Sequence, residues 1–424
     1  MFLIVFQRCA GKESYLKQFN REERKVLFFA NSGHFLTHFT VLIFPAIVTP
    51  LMKEFSLPLD RVLKISFLMY LFYGLGSLPW GLISDRISAK LSFNIFFYGV
   101  GITSILCFFS KSSTQLQFSL LSIGIFLSLY HPAGVGLISK SIRTAKRGTA
   151  LGRNGIFGSA GIASAPFISG LINFFIGWRY VYLFFGIISI ILAVLINFMK
   201  LEEQNIEDNT TSGISYNKKT DTVIPFILLC ISMALAGFVY RGQTLILPVY
   251  FEKKVPFLYE AIKNINFFAY SGSKNLSATI LASFVYFISI FGQILGGKVA
   301  DRFDLRYAYT YFFIFSFPFL VGMYFAKNVS LFISAVMFIL FSVGMQPVEN
   351  SLVAYFVPKK WRNTSYGIKF ILTFGVSSFV VYPIGFFERN YGLSSVFLLF
   401  SLIVVLLTIN NFVLIAYTGR KRRK

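Results

Sequence analysis

Apolar stretches of about 20 residues recur along this chain, separated by short clusters of charged and small polar residues. A helix of about 20 residues spans the roughly 30 Å of hydrocarbon in a bilayer, so each stretch is expected to cross a membrane. The pattern predicts twelve helices. Six fall near 26–48, 62–83, 91–109, 114–139, 149–175 and 180–199, and six near 222–250, 276–300, 307–326, 330–356, 364–387 and 394–417. Between the two sets, 201–221 is rich in Glu, Asp, Asn, Thr, Ser and Lys and reads as a flexible linker. The expected organisation is a tail over 1–25, a six-helix bundle over 26–200, the linker, a second bundle over 222–417 and a basic tail over 418–424. The fold class is all-α and membrane-embedded.

The two bundles echo each other. Gly81-Leu82-Ile83-Ser84-Asp85-Arg86 returns 216 positions later as Gly297-Lys298-Val299-Ala300-Asp301-Arg302. His131-Pro132 matches Gln346-Pro347, and Arg147-Gly148-Thr149-Ala150-Leu151-Gly152 matches Arg362-Asn363-Thr364-Ser365-Tyr366-Gly367, both at a shift of 215. Thr40-Val41-Leu42-Ile43-Phe44-Pro45 parallels Gln243-Thr244-Leu245-Ile246-Leu247-Pro248 at 203. The 12-residue excess falls in the loop after the seventh helix, near 252–275. Six spans per half make the halves run in the same direction. Such a parallel repeat, about an axis along the membrane normal, is the organisation of a secondary transporter.

Composition agrees. Hydrophobic residues make up 55% of the chain and charged ones 13%, too few charges for a water-soluble domain of this size. The net charge of +23 would suit nucleic acid, but the cations sit between apolar runs as interfacial anchors, so no nucleic acid is expected and the partner is the lipid bilayer. With the N-terminus placed inside, the inner loops hold most of the Lys and Arg, from Arg21, Arg24 and Lys25 to Arg420–Lys424. Both termini are therefore expected in the cytoplasm, with the chain in the inner cell membrane as a monomer. Cys9, Cys107 and Cys230 suggest no disulfide framework. Met1–Phe6 is too short, and lacks the basic lead, for a cleavable signal, so it is expected to be part of a tail.

Six plus six parallel spans, with Gly-x-x-x-Asp-Arg after the second and again after the eighth, resemble the major facilitator superfamily over nearly the whole chain. Tyr130-His131-Pro132-Ala133-Gly134, Tyr240-Arg241-Gly242 and Gln346-Pro347 are similar to the bacterial fosmidomycin-resistance type of efflux protein. The resemblance implies alternating access and proton-coupled efflux of a small solute. Import of an organic anion or amino acid by proton symport is the alternative, and a transport-dead sensor or scaffold a third reading. Two patterns depart from the drug–proton antiporters. The fourth span lacks Arg-x-x-Gln-Gly, and the fifth carries only Gly158, Gly161, Ala165-Pro166 and Gly170 of their glycine motif.

Ionisable groups inside a membrane are costly, so each is a functional hypothesis. His34 and His38 are four apart on one helix face of span one. His131 lies on span four, Arg241 on span seven, and Gln346, Glu349 and Asn350 on span ten. The resemblance implies that these four helices line the central cavity, which makes all seven candidate substrate-binding residues. Glu349 and His38 are the candidates for proton coupling, since imidazole titrates near neutral pH. One acid against one arginine and three imidazoles favours an anionic or zwitterionic solute, such as an organic acid, phosphonate or amino acid. The bland alternative is that these groups only fix packing or neutralise one another. Asp85, Arg86, Asp301 and Arg302 are implied to form a cytoplasmic gate, against plain interfacial anchoring. No metal or cofactor is expected, because His-x-x-x-His has no evident third ligand. Enzyme chemistry is not expected either. No Ser–His–Asp set or paired catalytic carboxylates occur, and Gly152-Arg153-Asn154-Gly155 lacks the strand and the Gly-Lys-Ser/Thr of a phosphate loop.

Overall fold

The computed structural model describes residues 19–199, 223–263, 273–357 and 362–420. Twelve helices among them are long and apolar enough to cross a membrane. The first six are α1 (Arg21–Ala46), α2 (Leu59–Ser84), α3 (Ala89–Phe108), α4 (Ser113–Ile138), α5 (Lys146–Ile176) and α6 (Arg179–Asn197). The second six are α7 (Val223–Lys254), α8 (Lys274–Arg302), α9 (Leu305–Phe325), α10 (Asn328–Phe356), α11 (Thr364–Tyr391) and α12 (Ser395–Gly419). Each lies where hydropathy predicts a span, with ends moved by a few residues. The expected linker 201–221, Cys9 and 421–424 lie outside the described residues.

The moved ends have local causes. α1 begins ahead of its apolar run because Asn20 and Glu23 cap it reciprocally. The Glu23 amide donates to Asn20 Oδ1 at 2.8 Å, and the Asn20 amide donates to Glu23 Oε2 at 2.9 Å, closing two donors that a helix start leaves open. α2 begins at Leu59, so Asp60 stands in its first turn and not in the preceding loop. Pro132 and Pro347 act as expected of a residue with no N–H and a bulky ring. α4 is interrupted between Leu127 and Tyr130, and α10 between Gly344 and Gln346. α11 widens over Ile371–Gly375 and tightens over Val376–Val380 at mid-membrane.

The repeat survives in atomic detail. Tyr70 donates its hydroxyl to the Val41 carbonyl at 3.1 Å, and Tyr286 donates to the Thr244 carbonyl at 3.3 Å. The donors are 216 positions apart and the acceptors 203, the same offsets as in the sequence. Gly177 (φ +100°) ends α5 and Gly392 (φ +81°) ends α11, 215 positions apart. Each returns its amide to a carbonyl four residues back, Asn173 and Glu388. Only glycine takes this conformation without strain.

Twelve crossings put the start of α1 and the end of α12 on one face, termed near; the opposite face is termed far. Near-face ties include Arg143 to Glu23 at 3.0 Å and Arg306 Nη1 to Thr418 at 2.7 Å. The halves meet along α1 with α7, α2 with α11, and α5 with α8. Ile187 and Ile191 on α6, and Leu402, Leu406 and Ile409 on α12, are exposed at helical spacing, as lipid-facing stripes are. α2 crosses α11 so closely that a Cβ on Gly74 would stand 2.1 Å from the Gly375 nitrogen.

Candidate functional site

His34 and His38 stand one turn apart on α1, and their Nε2 atoms are 3.1 Å from each other. His34 Nδ1 faces the Asn154 backbone carbonyl on α5 at 2.8 Å. The interrupted α4 brings Tyr130 into a stack on His34, with ring centroids 5.1 Å apart. It also sets His131 at 5.6 Å from His34 and 5.5 Å from His38. His131 Nε2 is 2.9 Å from the Tyr73 hydroxyl of α2, and Phe370 of α11 stacks on its ring at 4.9 Å. Asn154 Nδ2 donates to Tyr130 at 2.9 Å and to Asn31 Oδ1 at 3.2 Å. The three imidazoles thus meet in the first half and face α11 of the second. Among the described residues, no three His, Cys, Asp or Glu are arranged to hold a metal ion.

Arg241 on α7 is 3% exposed. Its guanidinium lies 4.0 Å above the Tyr70 ring, a cation–π contact that crosses between the halves. Nε has no hydrogen-bond partner. The buried carboxylates are engaged elsewhere among the described residues: Glu349 by Lys369, Asp60 by Arg389 and Lys64, and Glu23 by Arg143. His38, the repeat equivalent of Arg241, is within electrostatic reach of it.

Glu349 belongs to a second node. Lys369 on α11 holds Glu349 Oε1 at 2.7 Å and also donates to Asn350 Oδ1 at 2.5 Å. Tyr309 on α9 donates to Glu349 Oε2 at 2.6 Å. Both oxygens of the carboxylate are occupied, and its side chain is 2% exposed. Arg241 is not its partner. Gln346 opens the second part of α10 half-buried, and Asn350 is exposed.

The structure therefore brings His34, His38, His131 and Arg241 together and sets Glu349 and Asn350 apart with Lys369. Reading the sequence left out Lys369 as a partner, and with it Asn154, Tyr73 and Tyr309. One signal was available: Asn154 and Lys369 are 215 positions apart, so they fill the same slot of the repeat. Asp60 was also missed. It is 1% exposed at the far end of α2 and bridges to Arg389 of α11 at 2.8 Å. Inter-half contacts thus close the far face. On the near face, Asp85, Arg86, Asp301 and Arg302 are all exposed, and Asp85 borders a hollow lined by Pro132 and Gly136. Gly152 and Gly155 on α5 and Gly297 on α8 border open space there.

Two six-helix repeats joined around buried polar nodes at mid-membrane define a multi-pass transporter of small solutes. The chain belongs to the Major Facilitator Superfamily, whose family model matches residues 27–382. It is 23% identical over 142 residues to a protein named probable L-galactonate transporter, from Escherichia coli strain K12. That match takes in 34% of this chain and spans 31% of the relative. The fold is shared with a bacterial homologue of the human lysosomal transporter Spinster in an inward-facing, occupied conformation, at a TM-score of 0.72 and 13% identity. That match covers 93% of this chain and 97% of the other. It is also shared with the peptide transporter POT bound to sulfate, at 0.71 and 14% identity, covering 93% and 94%. These neighbours are transporters, as is the family, and not enzymes.

Proposed function

We propose that the chain carries a small anionic or zwitterionic solute across the membrane by alternating access, with Arg241 as the anion anchor. The observation that carries this reading is a guanidinium buried at mid-membrane with an unpartnered Nε, while the buried carboxylates among the described residues are all paired elsewhere. An unmatched charge in that position costs at least about 2.5–3.5 kcal/mol, and an anionic ligand offsets that cost. Galactonate is a hydroxylated carboxylate and fosmidomycin a phosphonate, so both likenesses point to the same charge. His34, His38, His131 and Gln346 supply the remaining polar contacts. Asp85, Arg86, Asp301 and Arg302 interlock when the near face closes. The near face is cytoplasmic on the Lys and Arg count, in the inner cell membrane.

Glu349 is the proton-coupling carboxylate, with Lys369 as its switch. A proton taken up by Glu349 makes it neutral and leaves the Lys369 ammonium without its partner. A solute anion bound at Arg241 then offsets the positive charge that the proton has added, so the net charge of the loaded carrier is unchanged. This linkage favours proton and anion moving in the same direction, so symport has more support in the geometry than exchange.

Thermal-shift screening of purified protein against organic acids, phosphonates and amino acids tests the anchor, since a ligand that binds the folded state raises its stability. A ligand found this way should lose its shift in Arg241→Gln and keep part of it in Arg241→Lys. A full shift in Arg241→Gln removes the assignment. In vesicles, Glu349→Gln should abolish uptake driven by a pH gradient while solute exchange persists, and unchanged pH-driven uptake removes the coupling role.

A further inference from the structure

Only one face of the histidine pair is open to a proton. A backbone carbonyl accepts hydrogen bonds and cannot donate, so the 2.8 Å contact to Asn154 requires the hydrogen of His34 to be on Nδ1. Neutral His34 then presents a bare Nε2. His38 Nε2 faces that lone pair at 3.1 Å. Two bare nitrogens, or two N–H groups, repel at this distance, so His38 Nε2 carries its hydrogen. Neutral His38 therefore has a bare Nδ1, for which no partner stands among the described residues. Both rings are only half-buried. The groups around the pair are His131 and Tyr130 from α4, Arg241 from α7 and Asn154 from α5, with Tyr73 of α2 behind His131 and Tyr70 of α2 beneath Arg241.

We infer that His34 is a positioning residue: anchored by the Asn154 carbonyl, it fixes His38 as the Nε2–H tautomer and leaves His38 Nδ1 as the one proton-accepting nitrogen of the pair. A proton arriving at Nδ1 makes His38 a cation. Its Nε2 hydrogen then passes along the existing hydrogen bond to His34 Nε2, and the charge moves to His34. There it stops, because the Asn154 carbonyl takes no further proton. The bond broken is N–H on His38, the bond formed is N–H on His34, and the proton leaves by the reverse route. The pair is a dead-end store with a single port at His38 Nδ1, and His38 is within electrostatic reach of Arg241. Its use in transport rests on the reading of Arg241 as the solute anchor, but the tautomer does not.

The chain has 3 histidines, so uniform ¹⁵N-histidine labelling gives three pairs of ring-nitrogen signals. Solid-state NMR of the protein in lipid, assigned with single His→Gln variants, reads each tautomer with no solute present. Near neutral pH, His38 should be the Nε2–H form by roughly tenfold, the bias that one hydrogen bond against an orphaned one provides. His34→Phe, which offers no acceptor, should collapse that excess to a mixture of both forms. His34→Gln, whose Oε1 can accept in place of Nε2, should preserve it. His38 protonated at Nδ1 in the native protein, or an unmoved tautomer in His34→Phe, overturns the inference. Should His34→Phe fail to fold, the native spectrum and His34→Gln decide the matter. A native spectrum as expected, together with solute shifts unaffected in Arg241→Gln, would retain the tautomer lock and discard the anchor.

Discussion

Removing Lys369 gives the sharpest test of the second polar node. In Lys369→Met the Glu349 carboxylate stays 2% exposed, keeps only the Tyr309 hydroxyl, and loses the ammonium that stands 2.7 Å away. Breaking a buried pair from one side costs about 3–5 kcal/mol, because the charge left behind is uncompensated. Replacing both partners by apolar residues of similar volume is often neutral, or stabilising by about 1–4 kcal/mol. Lys369→Met alone should therefore lower the melting temperature sharply. The scale is about 6–20 °C, taking roughly 2–4 °C per kcal/mol for a unit of about 200 residues. Glu349→Met/Lys369→Met should recover most of the loss. Acid should also shrink the deficit of the single variant, since protonation of Glu349 removes the stranded charge. The assay is a thermal melt of the native protein, both single variants and the double variant, at two pH values. Losses under about 1 kcal/mol that add in the double variant would refute the claim that these two groups act as a unit.

Asp60→Asn should weaken far-face closure, since it removes the carboxylate that Arg389 and Lys64 share. A loss of about 1–2 kcal/mol changes a two-state ratio by roughly 5–30-fold. Spin labels at Lys53, in the short far-face helix Val48–Phe55, and at Lys327, in the far-face loop of the other half, should then show a longer distance population, and an unchanged distribution argues against a latch. Gly74→Ala should destabilise the protein and suppress transport, because its Cβ would meet the α11 backbone nitrogen 2.1 Å away. No rotamer relieves that overlap. Gly136→Ala, with nothing within 4 Å of its Cβ, is the matched control and should be neutral or gain up to about 1 kcal/mol of helix propensity.

The fold was legible because span length and the repeat are properties of long windows, in which single residues matter little. The candidate site was legible in part, for reasons that differ by residue. His34 and His38 share a helix face by their spacing alone, and both lie far from any span end, so their meeting was readable. His131 joined them through a proline whose effect is local. The Glu349–Lys369 pair was not readable. Lys369 lies near the near-face end of α11, where a lysine ordinarily anchors at the interface. Pairing across helices depends on rotation about the α11 axis, which hydropathy does not fix, and the widened turn at Ile371–Gly375 alters that rotation. Asp60 was hidden for another reason. A charge in the first turn lowers local hydropathy, so the span was expected to start after it, near 62.

The two halves agree in shape and in the charged pairs at the near face, and differ in the polar groups buried within the spans. Tyr70 with Val41 and Tyr286 with Thr244 are the same bond made twice, and Gly177 and Gly392 end equivalent helices alike. At the equivalent polar positions the first half has His38, His131, Gly134 and Asn154, where the second has Arg241, Gln346, Glu349 and Lys369. Every imidazole is in the first half, and the buried cations Arg241 and Lys369 are in the second. A two-fold axis along the membrane normal leaves an inward-facing arrangement inward-facing when the halves are interchanged, so the parallel repeat by itself assigns no order to proton and solute. On the proposed reading the second half holds the anion at Arg241 and takes the coupling proton at Glu349, while the first half adds a proton store in its imidazoles. Moving the asymmetry tests this. Asn154→Lys, which places a second ammonium in the equivalent slot beside His34 and Tyr130, should displace proton uptake by the imidazoles while leaving the Glu349 node intact. In the ¹⁵N-histidine spectrum, the acid-induced imidazolium signals should then emerge at a lower pH than in the native protein, and an unchanged titration would mean the halves do not divide the work in this way.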